Sequence, residues 1–162
     1  MAIHKSDIIR AKDSLDVSGK SLSGEKTGAQ VLYATAEYVF GSPAVALNDV
    51  IELADIPAGA TVVPELSYVR KTFGNRDLKL SLGDKDDSDR FGAVGTYGSG
   101  IPEGPHYFGY DAASQVTFGY NRSENIGRYA ETTRVMASID HLPLAVQAQQ
   151  KLTFGIAYRV QG

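Results

Sequence analysis

The sequence predicts an all-β domain, a jelly-roll-like β-sandwich of about eight strands carrying an extended N-terminal arm. Three observations predict it. Apolar residues recur with a period of two, most strictly near the C-terminus, where Leu152, Phe154, Ile156, Tyr158 and Val160 alternate with Thr153, Gly155, Ala157 and Arg159. Turn residues punctuate the chain at short intervals, with 17 Gly among 162 residues. No segment carries a strong amphipathic stripe at helical spacing.

Residues 1–28 read as the arm. Their second half, DVSGKSLSGEKTG, holds almost no large apolar side chain, so it buries too little surface to offset the entropy of ordering. A short helix over 6–15, capped by Ser6, is the one element predicted there. Residues 29–162 form the sandwich domain. Ala29–Phe40 is the first predicted strand, and Asp49–Ile56 the second, with Val50 facing one way and Ile51 and Leu53 the other. Pro57-Ala58-Gly59 makes a turn with proline suited to its second position. A third stretch covers Ala60–Thr72, where Pro64 requires an edge or a bulge.

Asp77–Gly83 alternates Leu78, Leu80 and Leu82 with Lys79 and Ser81, the pattern of one buried and one wet face. Asp84–Arg90 is a charged turn. Residues 92–109, with six Gly, Pro102 and Pro105, read as one long loop. Ser114–Tyr120 and Tyr129–Ile139 are further strands, the latter with Val135, Ala137 and Ile139 on one face. A helical turn fits within 142–150, limited by Pro143.

Composition excludes several classes. The net charge of -3, with no basic stripe, gives no reason to expect a nucleic-acid partner. The absence of Cys removes disulfides, thiolate metal sites and a cysteine nucleophile. No apolar run approaches the roughly 18–20 residues that span a bilayer, and the N-terminal stretch lacks a signal peptide's apolar centre. The expectation is synthesis in the cytoplasm with no membrane partner.

Five constellations are candidates for chemistry. Asp84, Asp86, Asp87 and Asp89 evoke a calcium loop, but Asp89 stands where its glycine belongs and Gly95 where its bidentate Glu belongs. A solvated turn screened by Lys85 and Arg90 is the simpler reading. Gly19 and Gly24 have the spacing of a phosphate-binding loop, but Glu25 replaces its lysine and would repel phosphate. His4, His106 and His141 are isolated and share no metal-ligand spacing. Glu37, Glu52, Glu65, Glu103, Glu124 and Glu131 are too scattered to suggest a glycosidase pair. Tyr97, Tyr107, Phe108 and Tyr110 lie in the glycine-rich segment, suited either to a contact surface or to capping the sandwich. Asn121-Arg122-Ser123 fits a glycosylation pattern that carries no weight without a secretion signal. The expectation is a protein with no catalytic residues, no cofactor and no metal, and not an enzyme.

Residues 48–91, NDVIELADIPAGATVVPELSYVRKTFGNRDLKLSLGDKDDSDRF, together with the closing strand KLTFGIAYRVQG, resemble structural proteins of tailed-bacteriophage virions, among them capsid decoration (cement) proteins. The resemblance covers about half the chain and rests on strand-and-turn pattern. It implies a homo-oligomer, dimer or trimer, on the outer surface of the phage head. There it would bridge and stabilise neighbouring major capsid proteins, after synthesis in the host bacterial cytoplasm. Residues 1–28 would be the lattice-contacting arm, and removing residues 1–25 would spare the fold. The alternatives are another virion component, such as a tail or head-completion protein, or a carbohydrate-binding β-sandwich module.

Overall fold

Strict alternation makes the C-terminal segment the centre of one sheet. In the computed structural model, which describes residues 1–6, 31–41, 44–72, 78–95, 101, 104–108, 127–142 and 149–160, this segment is the longest strand. The strands are β1 Ile3–Lys5, β2 Val31–Val39, β3 Val50–Ile56, β4 Ala60–Val62, β5 Tyr68–Lys71, β6 Lys79–Asp84, β7 Gly92–Val94, β8 Gly104–Tyr107, β9 Thr133–His141 and β10 Lys151–Val160. A 3-10 turn at Pro64–Leu66 separates β4 from β5.

They form two five-stranded sheets, an all-β sandwich. One runs β1-β3-β9-β6-β7, the other β2-β10-β5-β8 with β4 also on β10. All described pairs are antiparallel except β1 with β3. The core lies between the sheets. Ile51, Leu53 and Ile56 of β3, Leu80 and Leu82 of β6 and Val135, Ala137 and Ile139 of β9 meet Ala36 and Tyr38 of β2 and Leu152, Phe154 and Ile156 of β10.

β10 pairs with β2 from Lys151 opposite Val39 to Arg159 opposite Val31. On its other side it pairs with β4 and then β5. Three steps along β10, from Tyr158 to Gly155, correspond to six on the partner side, from Val62 to Tyr68. The three surplus residues are the turn that Pro64 opens. The break is sealed by Ser67, whose hydroxyl accepts the Ala157 N–H at 3.0 Å and donates to the Val63 carbonyl at 3.0 Å. The predicted strand at 60–72 is thus two strands with proline at the break, because proline supplies no ladder donor.

A bulge in β3 resolves a conflict in its sequence. Glu52 opposes Met136, while Ala54 opposes Val135. The extra residue shifts the phase, so Ile56 joins Ile51 and Leu53 in the core while Glu52 and Asp55 share the outer face. Both carboxylates then meet Arg134 of β9, Asp55 at 2.8 Å and Glu52 at 3.0 Å. These hydrogen bonds, Asp55's first, hold the guanidinium above its ordinary pKa.

Several expectations are corrected. The segment 92–109 is not one loop, since it contains β7 and β8, and Val94, Ile101 and Phe108 are core residues. Its Gly and Pro richness masked strands too short to show a period, and Pro105 sits in β8 at the edge of its sheet. The second face of β6 is not wet: Ser81 is buried and its hydroxyl donates to Asp140. In the turn after β3, Pro57 is the first residue, accepting the Ala60 N–H at 3.2 Å, with Gly59 at φ 79° in the third position. Residues 3–5, read as the start of an arm, pair with β3, and the N–H of Ser6 donates to the Glu52 carbonyl at 2.7 Å. The predicted helix at 6–15 apart from Ser6, whose hydroxyl donates to the Leu53 carbonyl at 2.6 Å, the strand at 114–120 and most of the turn at 142–150 lie outside the described residues.

Candidate functional site

Strand pairing places a tyrosine row on the outer face of the β10 sheet. Tyr68 of β5 stands opposite Gly155 of β10 on one side and Tyr107 of β8 on the other. Its ring covers the glycine so closely that a Cβ at position 155 would lie 2.3 Å from Cε1. Tyr33 of β2 reaches the same ring from across β10. Ring centroids are 6.5 Å apart for Tyr33–Tyr68 and 6.0 Å for Tyr68–Tyr107, tilted by 50° and 63°. Tyr33 and Tyr107 are exposed. On the same face, Lys151 and Glu37 form an ion pair at 3.1 Å. Exposed rings beside compact charges suit protein contact. The tilted rings offer no coplanar platform for a sugar.

Of the aromatic residues singled out in the sequence, Tyr107 is in this row. Phe108 is fully buried, with its N–H on the Ser67 carbonyl at 2.9 Å, and is therefore a core residue. Tyr97 and Tyr110 lie outside the described residues. Tyr33 and Tyr68 were missed. The alternation in VLYATAEYV exposes Tyr33 opposite Leu32 and Ala34, but grouping it with Tyr68 requires knowing that β10 lies between them.

The acidic turn is the hairpin connection between β6 and β7, organised around Asp84. Asp84 is buried at its base. Its Oδ1 accepts the Asp86 and Asp87 N–H groups at 3.0 and 3.1 Å. Its Oδ2 accepts the Tyr129 hydroxyl at 2.8 Å and lies 2.9 Å from Arg90 Nε. Burial, then the hydrogen bond to Asp84, pushes the Tyr129 hydroxyl pKa upward. A hydrogen bond with Asp87, followed by burial and the Asp87 charge, raises the pKa of Asp89. Among the described residues no group of three or more His, Asp or Glu side chains is placed to hold a metal ion. Lys85 leans towards Glu131, at 3.4 Å on the surface.

The histidines sit on three different strands. His4 of β1 is buried, its Nε2 at 2.8 Å from Asp49 Oδ2 and its ring edge-on to Tyr38 at 5.9 Å. Asp49 also accepts the Ala2 N–H at 2.7 Å and the Ala46 N–H at 2.9 Å. Burial works against the charge of Asp49, but the bonds from His4, Ala2 and Ala46 outweigh it and hold its pKa at about 2. This cluster fastens β1 to the sandwich. His106 lies in β8 and His141 ends β9, so no two histidines share a site. Glu37, Glu52 and Glu131 are each engaged by a cation on another element, and Glu65 is an exposed turn residue. Glu103, Glu124, the 19–27 segment and Asn121–Ser123 lie outside the described residues.

The geometry defines a sandwich with an exposed tyrosine row on one face and, among the described residues, no cluster placed to hold a metal ion. No protein-family model and no curated protein sequence matches the chain. Solved structures do share its fold. A chain in the capsid of Ralstonia phage GP4 superposes with a TM-score of 0.63 at 16% identity, covering 99% of each chain. A chain in the capsid asymmetric unit of cyanophage Pam1 superposes with a TM-score of 0.51 at 14% identity, over 91% of this chain and 98% of that one.

Proposed function

We propose that the chain is a structural, non-enzymatic virion protein of a tailed bacteriophage, and within that class a capsid decoration protein. It binds the outer surface of the head as a homo-oligomer and bridges neighbouring major capsid proteins. One observation carries the reading: the fold matches a chain of the GP4 capsid from end to end, 99% of each, so the likeness is to a whole subunit and not to one module of a larger one. The acidic turn organised around Asp84, the dispersed histidines and an aromatic face suited to protein contact all support a role that needs binding surfaces and no reaction centre.

Attachment through many equivalent copies turns weak single contacts into lasting ones. On this reading residues 7–28 carry the lattice-contacting arm, with Arg10, Lys12, Lys20 and Lys26 as its cations. Residues 1–6 act differently, since they complete a sheet. Removing residues 1–25 would strip His4 from buried Asp49, so charge reversal at the three lysines is the cleaner test of the arm.

The direct test is co-sedimentation of the purified chain with expanded, undecorated heads. Saturation at a fixed ratio to the major capsid protein, with heads that resist disruption better afterwards, is expected. A folded chain that binds no head overturns the decoration role. Copy number per virion then separates the remaining virion roles, because a shell lattice offers hundreds of equivalent sites and a tail ring about a dozen or fewer.

A further inference from the structure

The tyrosine row has an arginine towards either end of β10. Arg70 lies two residues after Tyr68 on β5 and so shares its outer face, opposite Thr153 of β10 and Pro105 of β8. Arg159 lies on β10 itself, opposite Val31, one outward step beyond the Ala157–Tyr33 pair. Thr153 and Arg159 are six positions apart on one strand, so about 20 Å separates the two arginines. Between them β10 turns outward Gly155 and Ala157, too small to stand above the sheet, and the tyrosine rings become the floor. Tyr33 and Tyr107 keep 51% and 43% of their surface in water, so a partner can reach that floor.

The charge of this face is unanswered within it. Arg70 is exposed, and neither arginine has an ion-pair partner among the described residues. Arg159 is half-buried, with its Nε shut off from solvent and no acceptor for its N–H. A guanidinium in that state is short of an anion. Glu37, the outward carboxylate of these strands, is 3.1 Å from Lys151. The face therefore keeps the positive charge of its arginines, although the whole chain carries -3.

We propose that the outer face of the β10 sheet docks an extended acidic segment of a partner protein. Two carboxylates of that segment bind Arg70 and Arg159, and the uncharged residues between them lie across the tyrosine rings. The guanidinium fork matches a carboxylate, and tyrosine offers a large amphipathic area to a peptide. In an extended segment the first and seventh side chains project to one side about 20 Å apart, the spacing of the two arginines. A nucleic acid suits the face less well. Rings tilted by 50° and 63° offer no parallel stack for successive bases, and two separated arginines make no continuous track for a phosphate backbone. The inference does not depend on the decoration role, since it is read in the free chain.

The test uses the full chain and a heptapeptide blocked at both ends, with Glu at its first and seventh positions and uncharged residues between. The peptide carries an uncharged fluorophore, and binding is followed by anisotropy. Saturable binding that weakens as salt rises is expected. A peptide of the same composition with Glu at its first and third positions, about 7 Å apart, reaches one arginine at a time and should bind about fivefold more weakly. Arg70→Ala and Arg159→Ala should each erase that difference, and Tyr107→Ala should weaken both peptides, with unchanged circular dichroism. Lys85→Ala, which removes an exposed cation from the acidic turn, should alter neither. The two spacings are compared on the unaltered chain, so the test survives a variant that fails to fold. No binding by the unaltered chain at millimolar peptide overturns the proposal and means that the face is closed to such a segment. Equal affinity for the two spacings overturns it as well, and so does equal affinity for a thymidine trinucleotide of the same charge.

Discussion

Replacing Ser67 by alanine tests whether one buried hydroxyl closes the break between β4 and β5. The side chain is completely buried and lies between Ala157 and Val63. Val63 O keeps other donors, the N–H groups of Leu66 and Ser67 at 3.2 and 3.1 Å. The Ala157 N–H has no such substitute, because the strand residue that would oppose it has been extruded into the turn. The cost is therefore that of one orphaned buried donor, about 1–3 kcal/mol. At about 2–4 °C per kcal/mol for a chain of this size, the melting midpoint should fall by roughly 2–12 °C. Urea unfolding followed by circular dichroism measures this, with Ser88→Ala, an exposed turn hydroxyl, as a control expected within about 0.5 kcal/mol. A Ser67→Ala loss no larger than the control would mean that Ala157 does not depend on the serine, and the account of the break would fail.

Gly155→Ala should displace the Tyr68 ring, which a Cβ would approach to 2.3 Å, and lower the midpoint; the loss should shrink when Tyr68 is also replaced by Ala, as a double-mutant cycle would show. Gly83→Ala has no such relief, because the obstruction at 2.1 Å is the Asp87 backbone carbonyl, so the hairpin turn must open and stability should drop by about 1–3 kcal/mol in urea titration. Asp49→Ala should cost about 3–5 kcal/mol, since it leaves His4 and two N–H groups without their buried acceptor. The Asp49 pKa is depressed from 3.8 to about 2, so its contribution is fully present above the ordinary carboxylate value and is lost as pH falls through about 2. Acid titration of stability should therefore be flatter below pH 4 in Asp49→Asn than in the parent chain. Millimolar Ca²⁺ should leave the midpoint unchanged, because Asp84 is already engaged by two N–H groups, Tyr129 and Arg90; a rise of several degrees would place a cation in the turn.

The sequence was most informative where period two ran long and uninterrupted. Leu152, Phe154 and Ile156, and Val135, Ala137 and Ile139, enter the core as their alternation predicts. Shorter elements carry too few residues to show a period, and β1, β7 and β8 went unread for that reason. Period reasoning also fails where a strand changes phase: the β3 bulge moves Ile56 to the face of Leu53, and nothing in VIELADI announces it. Burial of Ser81 depends on Asp140, a residue 59 positions away, so no local pattern can show it. The contact face was half legible. Tyr107 stood out by its aromatic neighbourhood, although Phe108 beside it is core, and Tyr33 and Tyr68 join it only through strand order. That order is hard to read because β6–β7 is the one sequence-adjacent hairpin among the described strands.

The position of β10 also bears on how the molecule is made. It pairs with β2, β4 and β5, yet it is the last of the ten strands to be synthesised. At typical translation speeds, roughly six to twenty-four seconds separate the appearance of β2 from that of β10. During that interval β2 lacks its β10 partner. Folding of this half must therefore wait until β10 has emerged, and nascent chains crowded on one messenger would expose unassembled strands to one another. A translational delay just before β10 should then appear as loss of soluble protein even though the finished sandwich is unchanged.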